Sequence, residues 1–270
     1  MVKKSVVNKE YQNLNKTIVD LQEKWKNSLR EEAVLPKVDK AALDAGVPVI
    51  ALTDFHFDIS LFLQWIEEVV EAIIASNGEL AVKLDKLSDI MNEEVGLRWI
   101  QEALAFNQAY FTEFAEEKDL EEWIPSYFAE TAVRPYLQLL AESVQDRIEY
   151  AVPDEGCPVC GEPVRLAALE EEGKKVVHCP RCLAHWQGKR LECDHCGNDD
   201  HQKLKFLTIE GDAISQIQVC EVCNGYMKVI DTRQYITKPS AAQIDLDTIH
   251  LDFVAQQNGY RAVGEKKITN

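Results

Sequence analysis

Eight cysteines fall between positions 157 and 223 of this 270-residue chain, and every one belongs to a C-x-x-C pair. Such a pair offers two thiolates to one ion, and a tetrahedral site is completed when two pairs face each other across an intervening loop. The pairs are Cys157/Cys160, Cys179/Cys182, Cys193/Cys196 and Cys220/Cys223. Eighteen residues separate the first pair from the second and 23 separate the third from the fourth, whereas only ten lie between the second and the third. The two longer intervals suit the hairpin of a zinc-ribbon or rubredoxin-like knuckle pair. Two closed sites follow, with Cys157, Cys160, Cys179 and Cys182 on one and Cys193, Cys196, Cys220 and Cys223 on the other. A cross-brace of alternate pairs uses the same eight thiolates, and spacing alone does not exclude it. The ions are iron or zinc, since both accept four thiolates.

The region repeats internally. "CPVCG", a loop and "VVHCPRCLAHW" are echoed by "CDHCGNDD", a loop and "IQVCEVCNGYM". Glycines 161, 197 and 225 are read as relieving left-handed backbone beside the turns. His178, His185 and His195 lie near ligands, but four thiolates already complete each site, so these rings are assigned supporting or surface roles. An extracellular disulfide framework would use more varied spacings in a smaller chain. A redox dithiol would stand singly at the head of a helix in a βαβ unit. Metal binding is the better reading.

Elements that position these cysteines are short strands, expected at "KKVVHC", "KFLTI" and "AISQIQVC". The 156 residues before them hold no cysteine and read as helical. Tyr11, Leu14, Ile18, Leu21, Trp25 and Leu29 step by three or four, as do Ile59, Phe62, Ile66, Val69 and Ile73. A third stripe runs through Leu97, Ile100, Leu104, Phe111 and Phe114, and a fourth through Val133, Leu137, Leu140, Val144 and Ile148. A connection is expected around Pro36, Gly46 and Pro48, a stop at "SNG" (76–78), and a kink or break near Arg134, ahead of Pro135. Ser240 with Gln243 signals the start of a closing helix of about 18 residues ending at Gly259.

The fold class is therefore α+β and multidomain: a helical, acidic domain over 1–152, four-cysteine modules over 153–190 and 191–235, and a C-terminal helix and tail over 236–270. The helical part is an antiparallel bundle.

Charge narrows the partners. The formal net charge is −17, of which residues 1–150 contribute −13 (15 basic, 28 acidic). Two divalent ions on eight thiolates would add −4. Such a surface repels phosphate and attracts basic peptides. "GKR" at 188–190 with Lys203 and Lys205 gives a zinc-ribbon nucleic-acid reading some local support, but no sustained basic stripe accompanies it. Neither a secretory signal nor an apolar run of membrane-spanning length is apparent, which points to a cytoplasmic protein without membrane insertion. No glycine-rich phosphate loop or nucleophile elbow is present, and saturated thiolate sites leave no open coordination position, so no enzymatic role is expected. The sequence is silent on self-association.

The order "CPVCG…HCPRCLAHWQGKRLECDHCG…CEVCNGYMKVID", followed by "IDLDTIHLDFVAQQNGYR", resembles the formate dehydrogenase accessory proteins, FdhE. "FAETAVRPYLQLLAES" at 128–143 is similar to the segment before the metal domain in that family. The resemblance implies an α-helical domain joined to two rubredoxin-like centres, an iron-binding capacity, and cytoplasmic action on the catalytic subunit of a formate dehydrogenase. Acidic helices would then face the basic twin-arginine leader of such a subunit, with the run Glu113, Glu116, Glu117, Glu121 and Glu122 as the candidate surface. A redox or sulfur-handling partner of the same enzyme is the alternative.

Overall fold

The computed structural model describes residues 7–29, 41, 43, 45–53, 56–151 and 156–261. Two compact units emerge. One comprises Asn8–Val34 and Phe55–Leu139, the other Met1–Val7, Leu35–Asp54 and Leu140–Asn270. Most of the connection expected around Pro36 lies outside the described residues.

The first unit is helical: α1 (Lys9–Leu29), α2 (Ile59–Ser76), α3 (Ala81–Ile90), α4 (Glu93–Leu104), α5 (Gln108–Glu117) and the opening of α6 (Trp123–Ile148). Asn and Asp start three of them by accepting a main-chain N–H at the first turn: Asp58 from Leu61, Asn92 from Val95 and Asn107 from Tyr110. The core is aromatic. Trp25 of α1 stacks on Trp65 of α2 with ring centroids 5.0 Å apart, and Trp65 meets Tyr136 at 5.3 Å. Trp99 packs edge-on against Phe114 at 5.5 Å.

Two expectations are corrected here. The third apolar stripe is two helices, because Phe106 takes a left-handed φ of 53° and Asn107 caps a new start. Leu97 then faces solvent while Trp99 and Ala103 enter the core. Of the kink or break expected near Arg134, the break is not found, for α6 runs through Pro135. Pro125 sits in the first turn, where no intrahelical partner for its N–H exists anyway. Pro135 deprives the Thr131 carbonyl of its partner, and the buried Gln22 side chain of α1 replaces it, donating to that oxygen at 3.0 Å. Gln22→Leu would strand the carbonyl in the core and lower stability by about 1–3 kcal/mol; urea unfolding of the variant checks this.

The second unit holds one six-stranded sheet in the order β3-β2-β1-β6-β5-β4. Its strands are β1 (Leu166–Leu169), β2 (Lys175–His178), β3 (His185–Gly188), β4 (Leu204–Thr208), β5 (Ser215–Cys220) and β6 (Tyr226–Asp231). Within β1–β3 and within β4–β6 the neighbours are antiparallel, and the two trios join through parallel pairing of β1 with β6, Leu166 opposite Lys228 and Leu169 opposite Asp231. The internal repeat of the sequence is thus two three-stranded modules fused edge to edge.

The closing helix is two helices, α7 (Ala241–Asp247) and α8 (Ile249–Gln257), meeting at Thr248, whose φ of −109° and ψ of 16° leave the helical region. Ser240 caps α7 as read from the sequence, accepting from the Gln243 N–H at 3.2 Å. Ile244, Leu251 and Ala255 pack on Leu166, Ile217, Val219, Tyr226 and Ile230 of the sheet, whereas Phe253 is exposed. Past Gly259 the chain returns to the sheet end, where the Arg261 N–H donates to the Asn224 carbonyl at 2.9 Å.

Candidate metal centres

Each C-x-x-C pair is held by the same local turn. The N–H of the first cysteine donates to the carbonyl five residues on: Cys157 to Glu162 (2.8 Å), Cys179 to Ala184 (2.9 Å), Cys193 to Asn198 (2.9 Å) and Cys220 to Gly225 (3.0 Å). The residue at the fourth position after that cysteine must turn left-handed, and does so in all four: Gly161, Leu183, Gly197 and Asn224, with φ between 57° and 75°. Gly225, expected to fill this role, lies one residue too late. Asn224 substitutes because its short polar side chain tolerates that region.

These turns place the pairs at the ends of paired strands. One precedes β1 and faces the turn between β2 and β3; another precedes β4 and faces the turn between β5 and β6. The eight sulfurs gather as two groups, Cys157/Cys160/Cys179/Cys182 and Cys193/Cys196/Cys220/Cys223, each with all sulfurs within 4.8 Å of one another. Cross-group sharing, the cross-brace alternative, is not the arrangement found. No disulfide joins them. Sulfur separations are 3.5 Å (Cys157 to Cys182), 3.6 Å (Cys160 to Cys179), 3.7 Å (Cys193 to Cys223) and 3.8 Å (Cys196 to Cys220). A tetrahedron with metal–sulfur bonds of about 2.3 Å has edges of about 3.8 Å, so the donor set fits a four-thiolate ion. Val159 and Gly225 each aim an N–H at a sulfur, of Cys157 and Cys223 respectively, at 3.4 Å.

The two groups differ in surroundings. All four sulfur-bearing residues of the first are buried, and the second carries an exposed Cys196 and a half-buried Cys223. Beyond its own cysteines, the second group's small apolar cluster has Leu204 alone. Burial pushes the Cys182 thiol well above its ordinary value, with the neighbouring cysteines adding to the effect. Cys193 is raised mainly by its contact with Cys223, then by burial.

The histidines take other work. His195 turns from its neighbouring cysteines and its Nε2 lies 2.8 Å from the Val164 carbonyl, donating across the sheet seam; burial holds the ring's pKa down. His178 stacks on His185 at 5.7 Å, and burial followed by that neighbour lowers it to about 4.

Sequence reasoning missed two buried lysines. Lys175 of β2 is ion-paired with Asp194 in the third cysteine turn and donates to Gln218 of β5 at 2.7 Å, tying the first module to the second. Gly188 makes room for this, since a Cβ there would lie 2.7 Å from an Asp194 carboxylate oxygen and 2.9 Å from Val177. Gly188→Ala is expected to cost about 1–3 kcal/mol through this overpacking, read as a lowered melting temperature. Lys228 of β6, with no exposed side-chain surface, bridges Asp245 and Asp252 at 2.7 Å each. Arg165 joins Asp245 at 2.9 Å, and the Tyr226 hydroxyl donates to Asp252 at 2.8 Å. The signal was available in "IDLDTIHLD", whose Asp245 and Asp252 sit two helical turns apart on the side that meets the sheet.

Of the basic residues weighed for nucleic acid, the three lysines have acidic partners: Lys189 pairs with Glu192 at 2.6 Å, and Lys203 and Lys205 both face Glu221. In the helical unit the five glutamates of the 113–122 run are all exposed, with Glu121 paired to Lys83 and Glu117 to Lys118, each at 2.8 Å. In the same unit Glu10, Tyr11, Leu14, Ile73, Trp123 and Tyr127 are among the residues lining a cleft of about 360 Å³. Among the described residues no helix is long and apolar enough to cross a membrane.

No family model matches the chain. It is similar to "Protein FdhE homolog" of Aquifex aeolicus, 26% identical over 231 residues that cover 82% of this chain and 74% of the relative. Its counterpart in Haemophilus influenzae is 25% identical over 249 residues, covering 88% and 76%. The crystal structure of the FdhE protein from Pseudomonas aeruginosa superposes with a TM-score of 0.64 over 93% of this chain and 86% of the other, at 19% identity. In sequence over most of its length the chain is similar to proteins named FdhE, and in fold it is similar to the FdhE crystal structure.

Proposed function

We propose that the chain is a non-enzymatic accessory protein of formate dehydrogenase maturation, acting in the cytoplasm on the immature catalytic subunit through a scaffold stabilised by two metal ions, iron or zinc. The observation that carries this reading is the similarity to FdhE proteins across more than four-fifths of the chain, with both four-cysteine groups intact. Cys157, Cys160, Cys179 and Cys182 hold one ion, and Cys193, Cys196, Cys220 and Cys223 the other. Four thiolates fill a tetrahedral ion completely, so these ions supply folding energy and leave no open position for substrate.

Client recognition falls to the helical unit. A leader with paired arginines presents guanidinium groups that carboxylates bind in bidentate fashion, and the glutamates of the 113–122 run are exposed, with Trp123 of the aromatic cleft next in the chain. Apolar leader residues fit the cleft while the arginines meet the run. Reversing Glu113, Glu116, Glu117, Glu121 and Glu122 to lysine weakens binding of a synthetic leader peptide at least tenfold, about 1.4 kcal/mol, by calorimetry. Equal affinity of wild type and variant would remove the run from the account.

A further inference from the structure

The two four-cysteine groups share their turns and their sulfur geometry, but their accessibility differs in a way that sorts their chemistry. In the first group every cysteine is buried, and a segment at 49–50 lies against it, Val49 and Ile50 donating main-chain N–H groups to the Pro158 and Val159 carbonyls at 3.0 and 2.9 Å. In the second group Cys196 is exposed and Cys223 half-buried. A cavity of about 290 Å³ opens beside Cys196, lined by Trp186, Lys189, Glu192 and His195 among others. His195 is 7% exposed, and its Nδ1 has no hydrogen-bond partner although its Nε2 is engaged with Val164.

We propose that the second centre is an exchange site at which a thiol from outside takes the place of Cys196, while the first centre is permanent. The inference rests on reading the eight cysteines as two four-thiolate centres. The incoming thiol enters the cavity beside Cys196, gives up its proton to the departing sulfur, and takes the coordination position. Cys196 leaves as a thiolate and accepts that proton. One metal–sulfur bond breaks and one forms, with no change of oxidation state. Exchange at Cys196 is favoured over the other three because thiolates react according to their exposure. The remaining ligands, the buried Cys193 and Cys220 and the half-buried Cys223 in the turn between β5 and β6, keep the ion in place. A centre of this kind accepts a soft sulfur donor, such as a cysteine of a client polypeptide or a small cellular thiol.

The full chain loaded with two equivalents of zinc is exposed to iodoacetamide and the labelled peptides are timed by mass spectrometry. Cys196 is expected to react first, about tenfold or more ahead of Cys157, Cys160, Cys179 and Cys182. The chain loaded with cadmium-113 is then titrated with 2-mercaptoethanol and with a short cysteine-containing peptide. One of its two cadmium resonances shifts or broadens, and the other stays fixed. Response to the small thiol alone assigns the site to cellular thiols, and response to the peptide assigns it to client cysteines. Labelling of the first centre at the rate of Cys196, or two resonances of which neither or both respond, overturns exchange alone. Fewer than two bound ions overturns the metal reading together with it.

Discussion

Cys182→Ser removes the first metal centre and with it stabilisation on the order of 10 kcal/mol, more than a domain of this size has to spare. The consequence reaches beyond residues 157–182. β1 lies in the middle of the six-stranded sheet and is the strand to which β6 pairs. When the first centre fails, β6 loses its neighbour, and Lys175 no longer holds Asp194 in the third cysteine turn. Limited proteolysis of the variant is expected to cut throughout 156–235, whereas helices of the Phe55–Leu139 stretch, whose core contains Trp65, Trp99 and Phe114 and no cysteine, resist. Protection surviving in 191–235 would mean that the two modules fold separately, as their ranges of 153–190 and 191–235 suggest from sequence alone. Removing both metals by chelation under reducing conditions gives the same pattern.

Lys228→Met is expected to destabilise the sheet unit by about 3–5 kcal/mol, because deleting one partner of a buried ion network leaves charges without compensation. Lys228 is the cation that holds both Asp245 and Asp252, and through them α7 and α8, on the sheet. Methionine fills the volume but strands two carboxylates, one of which Arg165 still reaches at 2.9 Å. Burial by itself would raise the Asp245 carboxyl, yet Lys228 and Arg165 together hold it below the ordinary range. A depressed carboxyl contributes its stability above its unfolded value near pH 4 and loses it as the pH falls through the lower folded value. Wild type therefore loses this share of its stability in acid, and Lys228→Met shows a shallower loss there along with a lower plateau at neutral pH. Thermal melts across pH 3–7 distinguish this from simple loss of packing, which would lower every point equally.

Legibility followed the range of the interactions. The helices of the first unit were readable because burial repeats every three or four residues, as in Phe62, Ile66, Val69 and Ile73. The cysteine turns were readable because all their partners lie within six residues in the chain. Pro135 misled because its rescue comes from Gln22, more than a hundred residues earlier, and no local pattern encodes that hydrogen bond. "LAAL" at 166–169 carries little strand propensity and becomes the sheet's junction by pairing with β6, some sixty residues later. Lys175 and Lys228 look like solvent-facing charges until tertiary structure places them between carboxylates. The difference between the two centres was equally hidden, since Cys196 and Cys160 occupy the same place in the same motif and only the surrounding chain buries one and bares the other.

The proposed partner of the chain is the catalytic subunit of a formate dehydrogenase. Affinity purification of the full chain from its native host, under conditions in which a formate dehydrogenase is being made, followed by identification of the bound polypeptides, tests it most directly. Recovery of the enzyme's catalytic subunit with its leader still attached is expected. Recovery of the chain without any formate dehydrogenase subunit, while the enzyme accumulates normally in a strain lacking the chain, would contradict it.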